Sequence, residues 1–117
     1  ELTGPASEGF AVSTMFEPDT PNKYGKAFND RFKARYGANA NVFSALGYDS
    51  ASIVLAALKN AGECNGPKIR DAMIALKGFP LVQGDDGTTL NYDEKGSSYF
   101  KIGMGIIKNG RREIVPN

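Results

Sequence analysis

The spacing of hydrophobic positions changes several times along the chain. Residues 9–16 partly alternate between apolar and polar side chains and lie between turn residues, which predicts a short strand. Pro18 and Pro21 then exclude a continued strand ladder, because proline cannot donate a backbone hydrogen bond. Thr20-Pro21 predicts the start of a first helix and Gly37 its end. The apolar stripe of this helix repeats every four residues and consists of Tyr24, Phe28, Phe32 and Tyr36.

Two further helices are predicted after Gly37. Ser44 can cap a helix that runs to Asn60, with Gly62 as its stop. Residues 51–58 of this helix are apolar on almost every side, which is typical of a helix that is buried on most of its surface. A third helix is predicted to begin at Pro67 and end at Gly78, and its apolar positions are Ile69, Met73 and Leu76.

The C-terminal third has the alternation of strands. Short strands are predicted at Leu81-Val82 and Thr88–Tyr92, and a longer one over 98–107. Asn109-Gly110 predicts a tight hairpin that returns through residues 112–115. The first strand has no sequential partner, and the helices carry more apolar surface than they can bury on each other. These two features indicate a piece of a larger α/β protein.

Composition excludes several classes of function. The chain of 117 residues is 41% hydrophobic and 23% charged, which argues against disorder. Its 14 basic and 13 acidic residues leave a net charge of +1, too little to steer the chain toward nucleic acid or an acidic membrane. The basic face of the first helix is therefore interpreted as solvated surface, and no nucleic-acid partner is expected.

Residues that commonly perform catalysis or bind metals are scarce. The chain has no His and a single cysteine, Cys64, for which the sequence offers no neighbouring base. Residues 91–96 resemble the start of a calcium loop, but Lys95 and Ile102 stand where oxygen ligands are required, so a turn is predicted. We therefore expect no enzyme, no metal site and no cofactor.

Five motifs in order carry a family resemblance. They are EGFAVSTMFEPDTPN at 8–22, F-x-x-x-F-K-A-R-Y-G at 28–37, F-S-A-L-G-Y-D at 43–49, K-I-R-D-A-M-I-A-L-K-G-F at 68–79 and L-N-Y-D-E-K-G at 90–96. Together they resemble the C-terminal third of periplasmic solute-binding proteins that serve branched-chain amino acid ABC transporters. The resemblance implies the type I periplasmic-binding-protein fold, in which two Rossmann-like α/β lobes close about a hinge.

The resemblance also implies how the chain divides between the lobes. Residues 1–16 would provide a strand of the second lobe, and 17–97 a part of the first lobe with three helices and short strands. Residues 98–117 would return to the second lobe as a terminal β-hairpin. Two of the hinge crossings would then lie near Glu17–Thr20 and Lys95–Ser98.

Three ligand-binding residues follow from the resemblance. Tyr48, from the G-Y-D motif, would lie beside the cleft, where its ring can pack on an apolar ligand, face an ammonium or donate its hydroxyl. Asp49 follows it, either as a ligand contact or as a carboxylate that the helix dipole favours. Phe16, where the first strand enters the hinge, would line the cleft or belong to the core.

The implied function is capture of a small solute, such as an amino acid, for delivery to the membrane permease of an ABC transporter. The location would be periplasmic or that of an extracellular lipoprotein, with the signal peptide outside this chain. The alternative is a ligand-sensing domain of a receptor or regulator with the same fold. Because several apolar faces lack partners, the isolated fragment is expected to self-associate or to require a companion piece.

Overall fold

A computed structural model describes residues 4–100 and 102–115. A short 3₁₀ turn at Gly4–Ser7 precedes strand β1 (Ala11–Thr14). Three helices follow and then five strands: α1 (Lys23–Tyr36), α2 (Val42–Ala61), α3 (Gly66–Ile74), β2 (Phe79–Pro80), β3 (Thr89–Tyr92), β4 (Ser98–Tyr99), β5 (Gly103–Lys108) and β6 (Arg111–Val115). The predicted ranges 1–16 and 98–117 include residues 1–3, 101, 116 and 117, which lie outside the described residues.

The strands form two separate antiparallel sheets. One has the order β1-β5-β6, with Ala11 opposite Ile106 and Thr14 opposite Gly103. The other has the order β2-β3-β4. The hairpin predicted at Asn109-Gly110 is confirmed, because Lys108 pairs with Arg111 and both turn residues have positive φ angles, 51° and 72°.

Two strand predictions are wrong. The alternating segment 98–107 is two strands, because Ser98–Tyr99 pairs with β3 whereas Gly103–Lys108 pairs with β1. Alternation is the same in both pieces, so the pattern cannot show that the chain changes sheets between them. Leu81-Val82 is not a strand but the start of a buried loop, and Phe79–Pro80 pairs with β3 instead.

Asparagine caps all three helices. Asn22 and Asn41 replace the predicted caps Thr20 and Ser44, and Asn65 caps α3. Thr20 lies outside α1 and accepts from the Asn22 backbone N–H, while the Ser44 backbone N–H and hydroxyl both donate to Asn41. An amide oxygen accepts from the first-turn N–H groups as well as a hydroxyl does.

The stops at Gly37 and Gly62 are confirmed by their left-handed φ angles, whereas α3 already ends at Ala75 rather than Gly78.

The core of the helical part is small and partly aromatic. The buried cluster consists of Phe16, Phe28, Ala40, Ala45 and Val82, with Phe32 packed against it. Phe16 and Phe28 meet edge to face with their ring centroids 5.8 Å apart, which is a favourable aromatic geometry. The core therefore joins the end of β1 to α1, α2 and the loop after β2.

Asn22 connects the start of α1 to the loop 81–84. Its side chain is fully buried. Oδ1 accepts from the backbone N–H groups of Tyr24 and Gly25, while Nδ2 donates to the carbonyls of Leu81 and Gln83 at 3.0 Å. Gly25 permits this approach, because a Cβ there would lie 2.6 Å from the Val82 carbonyl oxygen. The side-chain amide of Asn22 thus caps α1 and provides hydrogen-bond donors for the buried carbonyls of the loop 81–84.

The molecule is elongated and leaves apolar surface uncovered. Its radius of gyration is 16.5 Å, with extents of 52 × 32 × 24 Å, whereas a compact chain of this length has a radius of about 13 Å. α2 packs on α3 but exposes Phe43, Val54 and Leu55. The expectation that residues 51–58 are buried on most sides therefore does not hold for the chain by itself.

By length and composition α2 could also cross a membrane, with a mean hydropathy of 1.3 over 18 residues. One helix of this kind does not identify a membrane protein, because the core helix of a water-exposed domain can have the same composition. The buried carboxylate of Asp49 and the contact with α3 are those of a helix packed inside a protein.

We predict that Asn22→Ala in the full-length protein lowers the free energy of unfolding by about 2–4 kcal/mol, because it removes a helix cap and orphans buried carbonyls. The exposed cap Asn41 provides the matched control, and Asn41→Ala should cost about 1 kcal/mol. Denaturant unfolding measures both. Equal losses for the two variants would contradict the role of Asn22 in holding the loop.

Candidate functional site

Tyr48 lies in the second turn of α2 at the surface end of an aromatic stack. Its ring lies 4.8 Å from that of Phe28, which in turn contacts Phe16. The Tyr48 side chain is accessible, at 41% exposure, and its hydroxyl accepts from Arg31 Nη2 at 3.4 Å. Phe28 therefore supports the Tyr48 ring, and part of the Tyr48 side chain is accessible to another molecule.

A cleft of about 180 Å³ opens beside Tyr48. α1, α2 and the segment 79–82 form its walls, which are lined by Tyr24, Ala27, Arg31, Tyr48, Asp49, Ser52, Phe79, Pro80 and Val82. Aromatic and aliphatic surface predominates, with one guanidinium, one carboxylate and three hydroxyl groups among it. Small-molecule sites have this combination, in which apolar walls provide contact and a few polar groups orient the ligand.

Asp49 follows Tyr48 in sequence but serves the interior. It is 3% exposed, and its carboxylate accepts from the backbone N–H groups of Val82 and Gln83 and from Gln83 Nε2. Burial raises the pKa of Asp49 above its ordinary value, although the three hydrogen bonds act in the opposite direction. Both carboxylate oxygens already have protein partners, so this geometry favours a positioning role. Direct ligand contact by Asp49 stays a prediction.

Phe16 is buried as well, at 4% exposure, and lines a much smaller cavity than the Tyr48 cleft. That cavity lies where the chain leaves β1, and its other walls include Thr14, Glu17, Gly84 and Gly103. Phe16 and Tyr48 therefore each contact Phe28 but line different cavities. Contact between Phe16 and a ligand also stays a prediction.

One exposed side chain beside Tyr48, Arg31, was not predicted from the sequence. Arg31 was placed on the solvated basic face of α1, yet it lies at the cleft. The spacing Tyr24, Phe28, Arg31 on one helix face was the available signal.

The loop with calcium-like spacing is a turn, as predicted. Asp93 Oδ1 accepts from the backbone N–H groups of Lys95 and Ser97, which closes the connection between β3 and β4. Among residues 4–100 and 102–115, no group of three Asp, Glu or Cys side chains is placed to hold a metal ion. Lys95–Ser98, near which a hinge crossing is expected, belongs to that turn and to β4, and the crossing stays a prediction.

The chain resembles a family of periplasmic binding proteins, whose family model matches residues 1–103. Comparison with curated proteins gives no match. Among solved structures, a leucine-binding protein, LivK, from Thermotoga maritima is 28% identical with a TM-score of 0.82, over 98% of this chain and 32% of that protein. The chain thus spans about a third of the length of this relative.

Other solved structures agree in fold. A putative branched-chain amino acid ABC transporter protein from Rhodospirillum rubrum is 27% identical with a TM-score of 0.78, over 97% of this chain and 32% of that one. A solute-binding protein from R. palustris, solved with benzoate, is 21% identical with a TM-score of 0.76, over 97% of this chain and 31% of that one. At that identity the likeness concerns the fold alone.

The raised pKa of Asp49 predicts a specific pH dependence. The folded state holds the proton of the Asp49 carboxyl more firmly than the unfolded state does. The contribution of Asp49 to stability is therefore complete below pH 3.8, the ordinary pKa of this group. It is lost as the pH rises from 3.8 through the higher pKa of the folded state. In that window the melting temperature of the full-length protein should fall relative to that of Asp49→Asn, whose amide does not titrate. Parallel curves would contradict this assignment.

Proposed function

The chain belongs to the periplasmic binding protein family and forms part of its type I fold, and from this premise we propose that its parent protein captures a small solute for an ABC transporter. The main support for this proposal is the structural match to the leucine-binding protein over 98% of the chain. The accessible aromatic cleft at Tyr48 supports the proposal, because it gives the fold a surface that can contact a small molecule.

We propose that Tyr48 contacts the ligand directly. Its free ring face can pack on an apolar group or attract an ammonium, and its hydroxyl and the neighbouring Arg31 can hydrogen-bond a polar end. Phe16 supports the stack from behind, and Asp49 fixes α2 against the loop 82–83. The ligand class is amino acids and related small acids, since solved proteins of this fold are described with leucine and with benzoate.

The two sheets support a division between two lobes. Strands β1, β5 and β6 would belong to the second lobe, and the helices with β2, β3 and β4 to the first. The chain would then cross between the lobes at 15–22 and again between Tyr99 and Gly103. Ligand-driven closure of two such lobes is a population shift toward the closed state. The family is periplasmic, and the partner that receives the solute would be a membrane permease.

The exposed apolar face of α2 supports the proposal that the rest of the parent protein covers this helix. Phe43, Val54 and Leu55 are all exposed on this helix. The small residues Gly47 and Ala51 on α2 would allow a close approach by another element. Without the remainder, we expect the isolated chain to self-associate, because apolar patches of this kind favour association. Light scattering tests this, and a stable 12.5 kDa monomer would contradict it.

We predict that Tyr48→Ala in the full-length protein weakens ligand binding by about 1–3 kcal/mol, the loss of an aromatic contact and a hydrogen bond. Tyr48→Phe should retain most of the affinity, since it preserves the ring. Isothermal titration with L-leucine and with benzoate measures the change. Tyr99→Ala is the matched control, because Tyr99 is exposed but lies outside the Tyr48 cleft. Unchanged affinity with a lower melting temperature would make Tyr48 structural.

A further inference from the structure

An ion pair joins the segment that follows β1 to strand β6 of the sheet β1-β5-β6. Glu17 follows β1 closely and is 8% exposed, while Arg112 lies on β6. The Glu17 carboxylate pairs with Arg112 Nε and also accepts from Thr14 Oγ1 at 2.9 Å. A carboxylate with so little exposure depends on such partners, because removing one leaves an uncompensated buried charge.

Bare backbone on β5 allows Arg112 to reach Glu17. A Cβ at Gly105 would lie 2.8 Å from Cγ and 3.2 Å from Cδ of Arg112, so the arginine stem crosses directly over this glycine. Any larger residue at 105 would displace the arginine. Gly105 therefore belongs to the same arrangement as the ion pair.

Glu17 marks one fixed end of the segment that leaves the sheet. The other end is Asn22, which is fully buried and bonded to the loop 81–84. Between them the backbone is restricted by Pro18 and Pro21, whose φ angles are fixed. Movement of one sheet relative to the other must be absorbed near the two crossings, of which the segment 15–22 is one, as in hinged domain closure.

We propose that Glu17 and Arg112 are positioning residues for solute binding, because their ion pair fixes the orientation of the crossing segment against the sheet β1-β5-β6. This rests on the proposed function, since it requires the two sheets to belong to lobes that close on a solute. Without the pair the crossing segment samples more orientations, and a smaller fraction of molecules is competent to close. Apparent affinity falls in proportion to that fraction.

The test uses the full-length protein with spin labels on exposed Cys64 and on a cysteine introduced by Arg111→Cys, any other cysteine being replaced by serine. Distances between the labels report the arrangement of the lobes without any ligand. The variants are Glu17→Gln, Arg112→Gln and their combination, with Arg112→Lys as a milder change that preserves the charge but removes Nε. Glu113→Gln is the control, because it breaks the exposed Lys108–Glu113 pair of the same hairpin.

We expect the distance distribution of ligand-free Glu17→Gln and Arg112→Gln to broaden, with the double variant no broader than either single variant because all three remove one interaction. Dissociation constants for L-leucine or benzoate should rise about 3- to 10-fold by the loss of competent molecules. Glu113→Gln should change neither quantity. Arg112→Lys should lie between wild type and Arg112→Gln.

Unchanged distance distributions with a lower melting temperature would overturn the proposal, since the pair would then only stabilise its surroundings. Additive broadening in the double variant would also overturn it, because the two residues would be acting separately. If neither L-leucine nor benzoate binds the wild type at millimolar concentration, the proposed ligand class is wrong. The distances between the spin labels in the ligand-free protein still decide whether the ion pair positions the lobes.

Discussion

The loop 81–84 is buried, and its backbone polar groups must find partners inside the protein. Two side chains provide them from opposite sides: Asn22 donates to its carbonyls and Asp49 accepts from its N–H groups. Unsatisfied buried backbone groups would each cost about 1–3 kcal/mol. The loop therefore fixes the start of α1 against the second turn of α2, and the core of Phe16, Phe28 and Val82 forms around that arrangement.

The same arrangement places the candidate site. Because Asp49 holds α2 against the loop, the preceding residue, Tyr48, faces the gap between α1 and α2. Phe28 then supports the Tyr48 ring, and Arg31, one turn further along α1, reaches its hydroxyl. Two adjacent residues of one motif thus act differently: Asp49 supports the structure, and Tyr48 presents the accessible ring that we propose contacts the solute.

Patterns of neighbouring residues predicted the helices and the hairpin, whereas the pairing of distant strands could not be predicted from such patterns. Helix periodicity, the stops at Gly37 and Gly62 and the Asn109-Gly110 hairpin depend on neighbouring residues, and the structure agrees with them. The change of sheets within 98–107 depends on which distant strand each half meets, so alternation did not reveal it. The buried loop at 81–84 looked like a strand because both environments favour apolar residues. Tyr48 was recognised through a family motif, but its neighbour Arg31 required the packing of α1 on α2.

A thermal-shift screen of the full-length protein tests whether it binds a small solute. The screen would compare aliphatic amino acids, amides, urea-like solutes and aromatic acids at concentrations up to the millimolar range. A ligand that binds only the folded state raises the melting temperature by mass action, so binding in the micromolar range is detectable. We expect a concentration-dependent rise in the melting temperature with an amino acid or a small carboxylic acid. No shift with either of these classes at millimolar concentration would contradict it.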